Sequence, residues 1–100
     1  MNINNFSDKI VFNILRKIEF GYLELINYNG EHYKFGNPNE TLKANIRVKN
    51  QNFTFNLIKG GSVGLAESYM KNDFETDDLS NLIEVTARNI KQIHKFSYFL

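Results

Sequence analysis

The sequence predicts an α+β fold in one domain, residues 1–100, with an N-terminal helix, an antiparallel sheet of about four to five strands, and C-terminal helices on one face of the sheet. Three observations lead to this class. Apolar residues near the N-terminus recur at helical spacing, the middle of the chain alternates apolar and polar residues, and the C-terminal part returns to helical spacing. No linker, repeat or change of composition divides the chain.

Composition narrows the classes of function. Nine Phe, five Tyr and a hydrophobic fraction of 42% predict a packed core. A net charge of +1 provides no strong field for nucleic acid, so we expect no nucleic-acid partner. The chain contains no cysteine for disulfides or thiolate metal sites, no signal-peptide pattern, and no apolar run near the ~18 residues of a membrane span. We therefore expect a cytoplasmic protein, with peripheral contact to the inner membrane face as an option.

The first element is an amphipathic helix. Ser7 is a suitable N-cap, and the helix is expected to end near Gly21. Its apolar stripe is Ile10, Val11, Ile14, Leu15 and Ile18.

Two β-hairpins are predicted next. Residues 22–28 and 31–35 are rich in β-forming residues and flank Asn29-Gly30, the dipeptide that favours a type I′ turn. After a break at residues 36–39, the segment 44–49 alternates as a half-buried strand should. Residues 50–52 then supply a turn, and the alternation over 53–57 predicts a further strand.

The C-terminal part is expected to be helical. Gly60-Gly61 ends the sheet, Ser62 can cap a short helix over 63–70, and a loop at 71–73 leads into Phe74 and Glu75. Thr76 or Asp77 is the expected cap of the last helix, whose apolar stripe is Leu79, Leu82, Ile83, Ala87 and Ile90. A similar order of elements occurs in the sterol-carrier-protein-like fold.

Two patterns superficially resemble a phosphate-binding loop and a metal site, but neither is good evidence for such a site. The glycine-rich run 60–64 lies between a predicted strand and helix, but it matches neither the dinucleotide fingerprint nor the P-loop, so close packing explains it better. His32 and His94 have no metal-ligand companion at useful spacing. We expect no catalytic residue, no cofactor site and no metal site in this chain.

The segment 65–70 contains one acid among apolar or small residues, Glu67. A partly buried carboxylate there could face a lipid pocket, but a bond to a backbone N–H or simple exposure is the favoured interpretation. Tyr69 and Met70 are candidate contacts for a lipid or a partner, although burial for packing is the commoner fate of such residues.

A basic stripe runs along the last helix. Arg88, Lys91 and Lys95 recur at helical spacing, with Phe96 and the aromatic residues of 98–100 nearby. Such a helix could lie at an anionic phospholipid surface. Favourable interaction with the helix dipole is the favoured alternative. The terminal aromatics need a cover, which the core, a partner protein, a membrane or a further domain could provide.

The most specific block in the chain is GSVGLAESYM, residues 61–70, followed by DDLSNLI at 77–83 and Arg88-Asn89. These residues resemble the segment that closes the N-terminal domain of cyclopropane-fatty-acyl-phospholipid synthases. Residues 15–25, Asn29-Gly30 and Phe35-Gly36 are also similar to that domain. Where the family usually has Gly and then Trp after the Tyr-Met pair, this chain has Asn72 and Phe74, which keeps an aromatic anchor.

The resemblance implies a role in cyclopropane fatty acid synthesis, but it implies no active site within this chain. Family members use S-adenosylmethionine, and their catalytic residues lie in a methyltransferase domain that this chain does not contain. The implied role is an accessory, non-catalytic domain that engages phospholipid and positions its acyl chains for that methyltransferase domain or chain. The alternative is a free-standing lipid-binding or protein-interaction module without enzymatic activity.

Overall fold

The structure, a computed structural model, describes residues 6–91, and its side chains from Asp8 onward. The fold is α+β, with three helices and a four-stranded sheet in this part of the chain. In chain order the elements are α1 (Phe6–Leu15), β1 (Tyr22–Ile26), β2 (His32–Gly36), β3 (Lys43–Val48), α2 (Asn52–Met70), β4 (Phe74–Glu75) and α3 (Leu79–Arg88). The predicted class is confirmed.

The sheet is mixed, which corrects the expectation of an antiparallel one. Its order is β2-β1-β3-β4, and β3 runs parallel to β1 while the other two pairs are antiparallel. Tyr22 of β1 lies opposite both Gly36, the end of β2, and Lys43, the start of β3. Because β2 ends where β1 begins, the short connection 37–42 can pass around the start of β1 to its other edge.

The first hairpin is confirmed, but its turn is not of type I′. Only Gly30 of the Asn29-Gly30 pair has a positive φ, 87°. The N–H of Gly30 donates to the carbonyl of Asn27, and the N–H of Asn27 donates to the carbonyl of Glu31, at 2.9 and 2.8 Å. This is the three-residue hairpin loop in which a type I turn is followed by a left-handed glycine.

The predicted second hairpin is wrong, because residues 53–57 begin helix α2 instead of forming a strand. Phe53 and Leu57 are buried four residues apart, while Phe55 between them is exposed. Alternation over so short a run fits a helix equally well, since positions i and i+4 share a helical face. The place beside β3 that a second hairpin would have filled is taken by β4.

Helix α2 consists of two helical segments that meet at Gly61. Gly61 has φ 54° and ψ −125°, outside the helical region. The second segment, residues 62–70, corresponds to the predicted helix over 63–70 and follows directly from the kink at Gly61. At Gly64 the segments approach closely, because a Cβ there would lie 1.7 Å from the backbone oxygen of Asn56.

All three helices pack on one face of the sheet, as predicted for the C-terminal helices. One cluster of buried apolar residues joins Val11 and Leu15 of α1, Phe53 of α2 and Val85 of α3 to the inward-facing side chains of the sheet. In β3 these are Ala44, Ile46 and Val48, whereas Lys43, Asn45 and Arg47 alternate with them. The opposite face of β3 is correspondingly polar.

Helix α1 ends at Leu15, well before the predicted end near Gly21. The segment after it is held by Asn89, which is fully buried at the end of α3. The Asn89 side-chain oxygen accepts hydrogen bonds from the N–H groups of Glu19 and Phe20 at 2.8 and 3.1 Å. Its amide nitrogen donates to the carbonyls of Phe20 and Val85, each at 2.8 Å. We call this arrangement the Asn89 clasp.

The N-cap of α3 is Asp78, not Thr76 or Asp77. The carboxylate of Asp78 accepts from the N–H of Asn81 at 3.0 Å. Asp77 instead accepts from the guanidinium of Arg47 at 2.7 Å, and its neighbour on β4, Glu75, accepts from Lys49 at 2.8 Å. These ion pairs connect β3 to the segment that leads into α3.

The ion pairs predict a pH dependence of stability. Hydrogen bonds from Arg47 and Lys49 hold the pKa values of Asp77 and Glu75 below their ordinary values. Carboxyls with a lowered pKa in the folded state stabilise the fold above their unfolded pKa, and this stabilisation is lost as the pH falls through the folded pKa. We expect Arg47→Gln to lose less stability than the wild type between about pH 5 and pH 2. Urea midpoints across this range test it, and parallel curves for the two proteins would contradict it.

Candidate functional site

An apolar groove lies between the second segment of α2 and helix α3, with a volume of about 500 Å³. We call it the α2–α3 groove. It is lined by Ser62, Leu65, Ala66, Tyr69 and Met70 of α2, by Phe74 of β4, and by Leu79, Leu82, Ile83, Thr86, Ala87 and Ile90 on or just beyond α3. Among these twelve residues the only polar groups are three hydroxyls, so the groove offers mainly apolar contact.

The groove is open to solvent. Met70 keeps 76% of its surface exposed, Ile83 57% and Tyr69 43%, whereas Phe74 and Leu82 are buried at its base. Large apolar side chains that remain exposed side by side are unusual on a monomeric domain, and they mark places where something binds.

Aromatic packing sets the base of the groove. The ring of Phe74 lies edge-on to the ring of Phe53 in the core, with centroids 5.5 Å apart. On its other side Phe74 contacts Tyr69, at 5.7 Å between centroids. Aromatic pairs at these separations add to the stabilisation that burial provides. Phe74 therefore connects the groove rigidly to the hydrophobic core.

A buried polar network holds the second segment of α2 in place. The side-chain amide of Asn56 donates to the hydroxyl of Ser68 at 3.0 Å and to the carboxylate of Asp73 at 3.4 Å. Asp73 also accepts from Asn50 at 3.2 Å, and its N–H donates to the carbonyl of Ser68 at 2.8 Å. Because Ser68 and Asp73 are buried, these bonds fix the angle between the two segments of α2.

The structure brings together only some of the residues predicted to contact a lipid or partner. Tyr69, Met70 and Phe74 line the groove. Glu67 is exposed on another side of α2 and does not line it. Arg88 lies away from the groove, where it contacts Glu84 at 3.6 Å. Lys91 is exposed and also outside the lining. Lys95 and Phe96 fall outside the described residues.

The predicted basic stripe therefore does not border the groove within the described part of α3. Arg88 and Glu84 line a second cavity of about 300 Å³, shared with Phe20, Gly21, Leu42 and neighbouring residues on the other side of the helix. This cavity is more polar than the α2–α3 groove, and the ion pair between Arg88 and Glu84 forms part of its wall. Helix α3 thus separates an apolar site from a polar one.

Sequence reasoning assigned one apolar stripe to α3 and did not separate its core side from its groove side. All five residues of that stripe line the groove, and Leu82 among them is also buried in the core, whereas the buried Val85 lies outside the stripe. The signal was present in the width of the apolar surface, since a helix that only covers a core needs a narrower stripe. Ile83 beside Leu82 marks that extra width.

Titratable groups with shifted pKa values lie away from the groove. Burial, assisted by its hydrogen bond to Glu31, raises the pKa of Tyr33 to about 12. Burial and the contact with Glu24 likewise raise the pKa of Tyr22. Both tyrosines belong to the β1–β2 hairpin, and their environment keeps the phenols protonated.

Residues 6–91 contain no group of three or more His, Asp or Glu side chains placed to hold a metal ion. None of the helices in that range combines the length and apolar character needed to cross a membrane.

Comparison of the chain with models of protein families, with curated protein sequences and with solved structures gives no match. The resemblance to cyclopropane synthases rests on the residues quoted above, and the likeness to sterol-carrier proteins stays a prediction.

Proposed function

We propose that this chain is a non-catalytic, lipid-engaging accessory domain of the cyclopropane-fatty-acyl-phospholipid synthase type, and that the α2–α3 groove holds one acyl chain. The observation that carries the proposal is the groove itself: about 500 Å³ of space between two helices, lined almost entirely by apolar side chains and open at its surface. Its size lies within the range of small-molecule sites.

The sequence block and the groove support the same proposal. The block 61–70, on which the resemblance to cyclopropane synthases rests most strongly, supplies one wall of the groove, and the segment 77–83 begins the other. The residues that carry the resemblance are therefore also those that shape the site. Phe74 stands where the family usually has Trp, and it lies at the base of the groove.

The energetics favour transient binding. Burying about ten methylene groups contributes about 8 kcal/mol, and association costs of about 4 kcal/mol or more oppose it. The remainder is a modest binding free energy for the acyl chain alone, before any headgroup or membrane contact. A domain that presents acyl chains to a catalytic partner needs such reversible binding, whereas a storage protein needs tighter binding.

In this proposal the methyltransferase domain or chain is the partner, and it supplies S-adenosylmethionine and the reacting groups. The domain meets its lipid at a phospholipid surface, where Met70 and Ile83 at the rim of the groove would enter the acyl region. The alternative, a protein-interaction module, would place an apolar helix of a partner in the same groove.

A matched pair of variants tests the groove. Ile83→Glu puts a charge into its wall, whereas Val63→Glu changes an aliphatic residue of similar exposure, 63% against 57%, that does not line it. We expect Ile83→Glu to weaken binding of dansyl-labelled palmitate about tenfold, because it removes one apolar contact worth about 1.5 kcal/mol. Val63→Glu should bind as the wild type does. Fluorescence titration measures both, and circular dichroism checks that each variant is folded.

Three results would overturn the lipid proposal: absence of palmitate binding by the wild type, equal binding by the wild type and Ile83→Glu, or an equal loss in both variants. Co-sedimentation with neutral and anionic phospholipid vesicles at low and high salt then tests membrane contact. Binding of an apolar helical peptide without binding of palmitate would favour the protein-interaction module instead.

A further inference from the structure

A polar cavity of about 300 Å³ lies on the other side of α3 from the α2–α3 groove. We call it the polar cavity. Its charged side chains are two carboxylates, on Glu40 and Glu84, and one guanidinium, on Arg88. Two negative charges against one positive charge leave the lining with a net charge of −1. This charge favours a ligand that carries a positive group.

Glu40 is the carboxylate without a partner. It is partly buried, and within residues 6–91 its side chain forms no hydrogen bond and no ion pair. Its backbone is fixed by a turn, because the N–H of Glu40 donates to the carbonyl of Asn37 at 3.1 Å. Removing a charged group from water without giving it a partner is unfavourable. A cation bound in the polar cavity would supply that partner.

Arg88 is paired only loosely. Its Nη2 atom lies 3.6 Å from Oε1 of Glu84, one turn earlier on α3. A hydrogen bond between charged groups of this kind is about 2.7–2.9 Å long, so the contact is an ion pair without a close hydrogen bond. Exposed pairs at this helical spacing contribute little to stability. Arg88 can therefore turn its N–H groups to an anion in the cavity, and two of them can bind one phosphate.

Phe20 supplies an aromatic wall, with 48% of its surface exposed. The Asn89 clasp holds both the N–H and the carbonyl of Phe20. The next residue, Gly21, is tightly packed, because an added Cβ would lie 3.2 Å from the carbonyl oxygen of Leu42. The position of this wall is thus fixed before any ligand binds. Aromatic rings attract ammonium groups, and a carboxylate in the same cavity adds to that attraction.

The polar cavity suits an organic ion better than a metal ion. Its volume lies at the lower end of the range for small-molecule sites. A bare divalent cation needs several converging oxygen ligands, and residues 6–91 contain no group of three or more His, Asp or Glu placed to provide them. An ammonium group needs only one carboxylate and an aromatic ring, which Glu40 and Phe20 provide.

We propose that the polar cavity binds a small zwitterion that carries an ammonium and a phosphate group. The ammonium contacts the carboxylate of Glu40 and the ring of Phe20, and the phosphate contacts the guanidinium of Arg88. Such a group exists free, as in O-phosphoethanolamine, or as the headgroup of a phospholipid. The ammonium site stands on the cavity alone, whereas the choice of phosphate as the anion rests on the proposed function.

Amide NMR spectra of the full-length chain test the site with O-phosphoethanolamine, ethanolamine and inorganic phosphate as separate probes. We expect O-phosphoethanolamine to shift the signals of residues 20–21, 40–42 and 84–88 until they saturate. It should bind about tenfold more tightly than either other probe, because each of these lacks one charge-assisted contact. No saturable shift with O-phosphoethanolamine would overturn the proposal. Equal affinity for inorganic phosphate would overturn the ammonium contact, and equal affinity for ethanolamine would overturn the phosphate contact.

A matched pair of variants assigns the ammonium contact. Glu40→Gln removes the unpaired carboxylate, whereas Glu67→Gln removes an exposed carboxylate that lines neither the groove nor the polar cavity. We expect Glu40→Gln to bind O-phosphoethanolamine about tenfold more weakly than the wild type, and Glu67→Gln to bind it equally well. Circular dichroism checks that both variants are folded. Equal affinity of Glu40→Gln and the wild type would overturn the assignment.

Arg88→Gln tests the phosphate contact. This variant should bind O-phosphoethanolamine about tenfold more weakly, but its affinity for ethanolamine should not fall, since the carboxylates of the polar cavity remain. An equal loss for both probes would contradict the separate roles of Arg88 and Glu40.

A short-chain phospholipid separates the two sources of the zwitterion. Dihexanoyl-phosphatidylethanolamine below its micelle concentration should shift the signals of the polar cavity together with those of Met70 and Ile83 if the ligand is a headgroup. Shifts with O-phosphoethanolamine alone would identify the free zwitterion. The proposed function fails separately. Binding of O-phosphoethanolamine by a protein that binds no palmitate would keep the polar site and remove the lipid function, whereas palmitate binding that Ile83→Glu weakens, without binding of O-phosphoethanolamine, would do the reverse.

Discussion

Gly64→Ala should destabilise the domain by about 3 kcal/mol or more, because the added methyl has no space. Its Cβ would lie 1.7 Å from the backbone oxygen and 2.5 Å from the backbone carbon of Asn56. Both atoms belong to the first segment of α2, so no side-chain rotation can relieve the contact. The two segments must separate, which also disrupts the bonds of Asn56 to Ser68 and Asp73.

Chemical unfolding in urea and thermal unfolding measure the effect. For a domain of this size a loss of 3 kcal/mol lowers the melting temperature by about 12 °C or more. The matched control is Gly60→Ala, four residues earlier in the same helix, where an added Cβ meets nothing within 4 Å. Because alanine favours helix more than glycine does, this control should be neutral or stabilising by up to about 1 kcal/mol. Similar stability of the two variants would contradict the close approach at Gly64.

Asn89→Ala should cost about 4 kcal/mol, the second large effect. The substitution removes the clasp and leaves the N–H groups of Glu19 and Phe20 and the carbonyl of Phe20 without the partners they have in the wild type. Each buried polar group without a partner costs about 1–3 kcal/mol. Water cannot easily replace the amide, because Asn89 is fully buried.

The control for the clasp is Asn81→Ala on the same helix. The amide of Asn81 donates one exposed hydrogen bond, to the carbonyl of Lys43 at 3.0 Å, so its loss should cost less than about 1 kcal/mol. Urea unfolding of both variants gives the comparison. A cost for Asn89→Ala no larger than that for Asn81→Ala would show that the clasp does not hold the segment between α1 and β1.

The sequence predicts the local elements of this fold better than their arrangement. The hairpin around Gly30 and the strand that contains Ala44, Ile46 and Val48 follow from composition and alternation over neighbouring residues. The parallel pairing of β1 with β3 does not, because it depends on which edge of β1 the chain reaches after Gly36. At Gly36 an added Cβ would lie 2.3 Å from the backbone oxygen of Gly21, a close approach that no periodicity in the sequence predicts.

The same limit applies to the candidate site. Tyr69, Met70 and Phe74 were predicted as contacts and line the groove. Arg88 was predicted with them, but the rotation of α3 around the core places it on the other side. That rotation is set by Leu82, Val85 and the clasp, which join parts of the chain far apart in sequence. Such contacts are visible only in the folded structure.

The clasp also orders events during synthesis of the chain. Asn89 bonds to Glu19 and Phe20, which lie 70 and 69 positions earlier in the chain. Nearly all of the domain must therefore leave the ribosome before these bonds can form. Helix α1, the hairpin, β3 and α2 emerge first, and until α3 arrives the part of the core that Leu82 and Val85 cover stays exposed. Closing so long a loop is slow relative to local pairing, which makes the docking of α3 the late step of folding. A chain without α3 therefore exposes apolar surface that the complete domain buries.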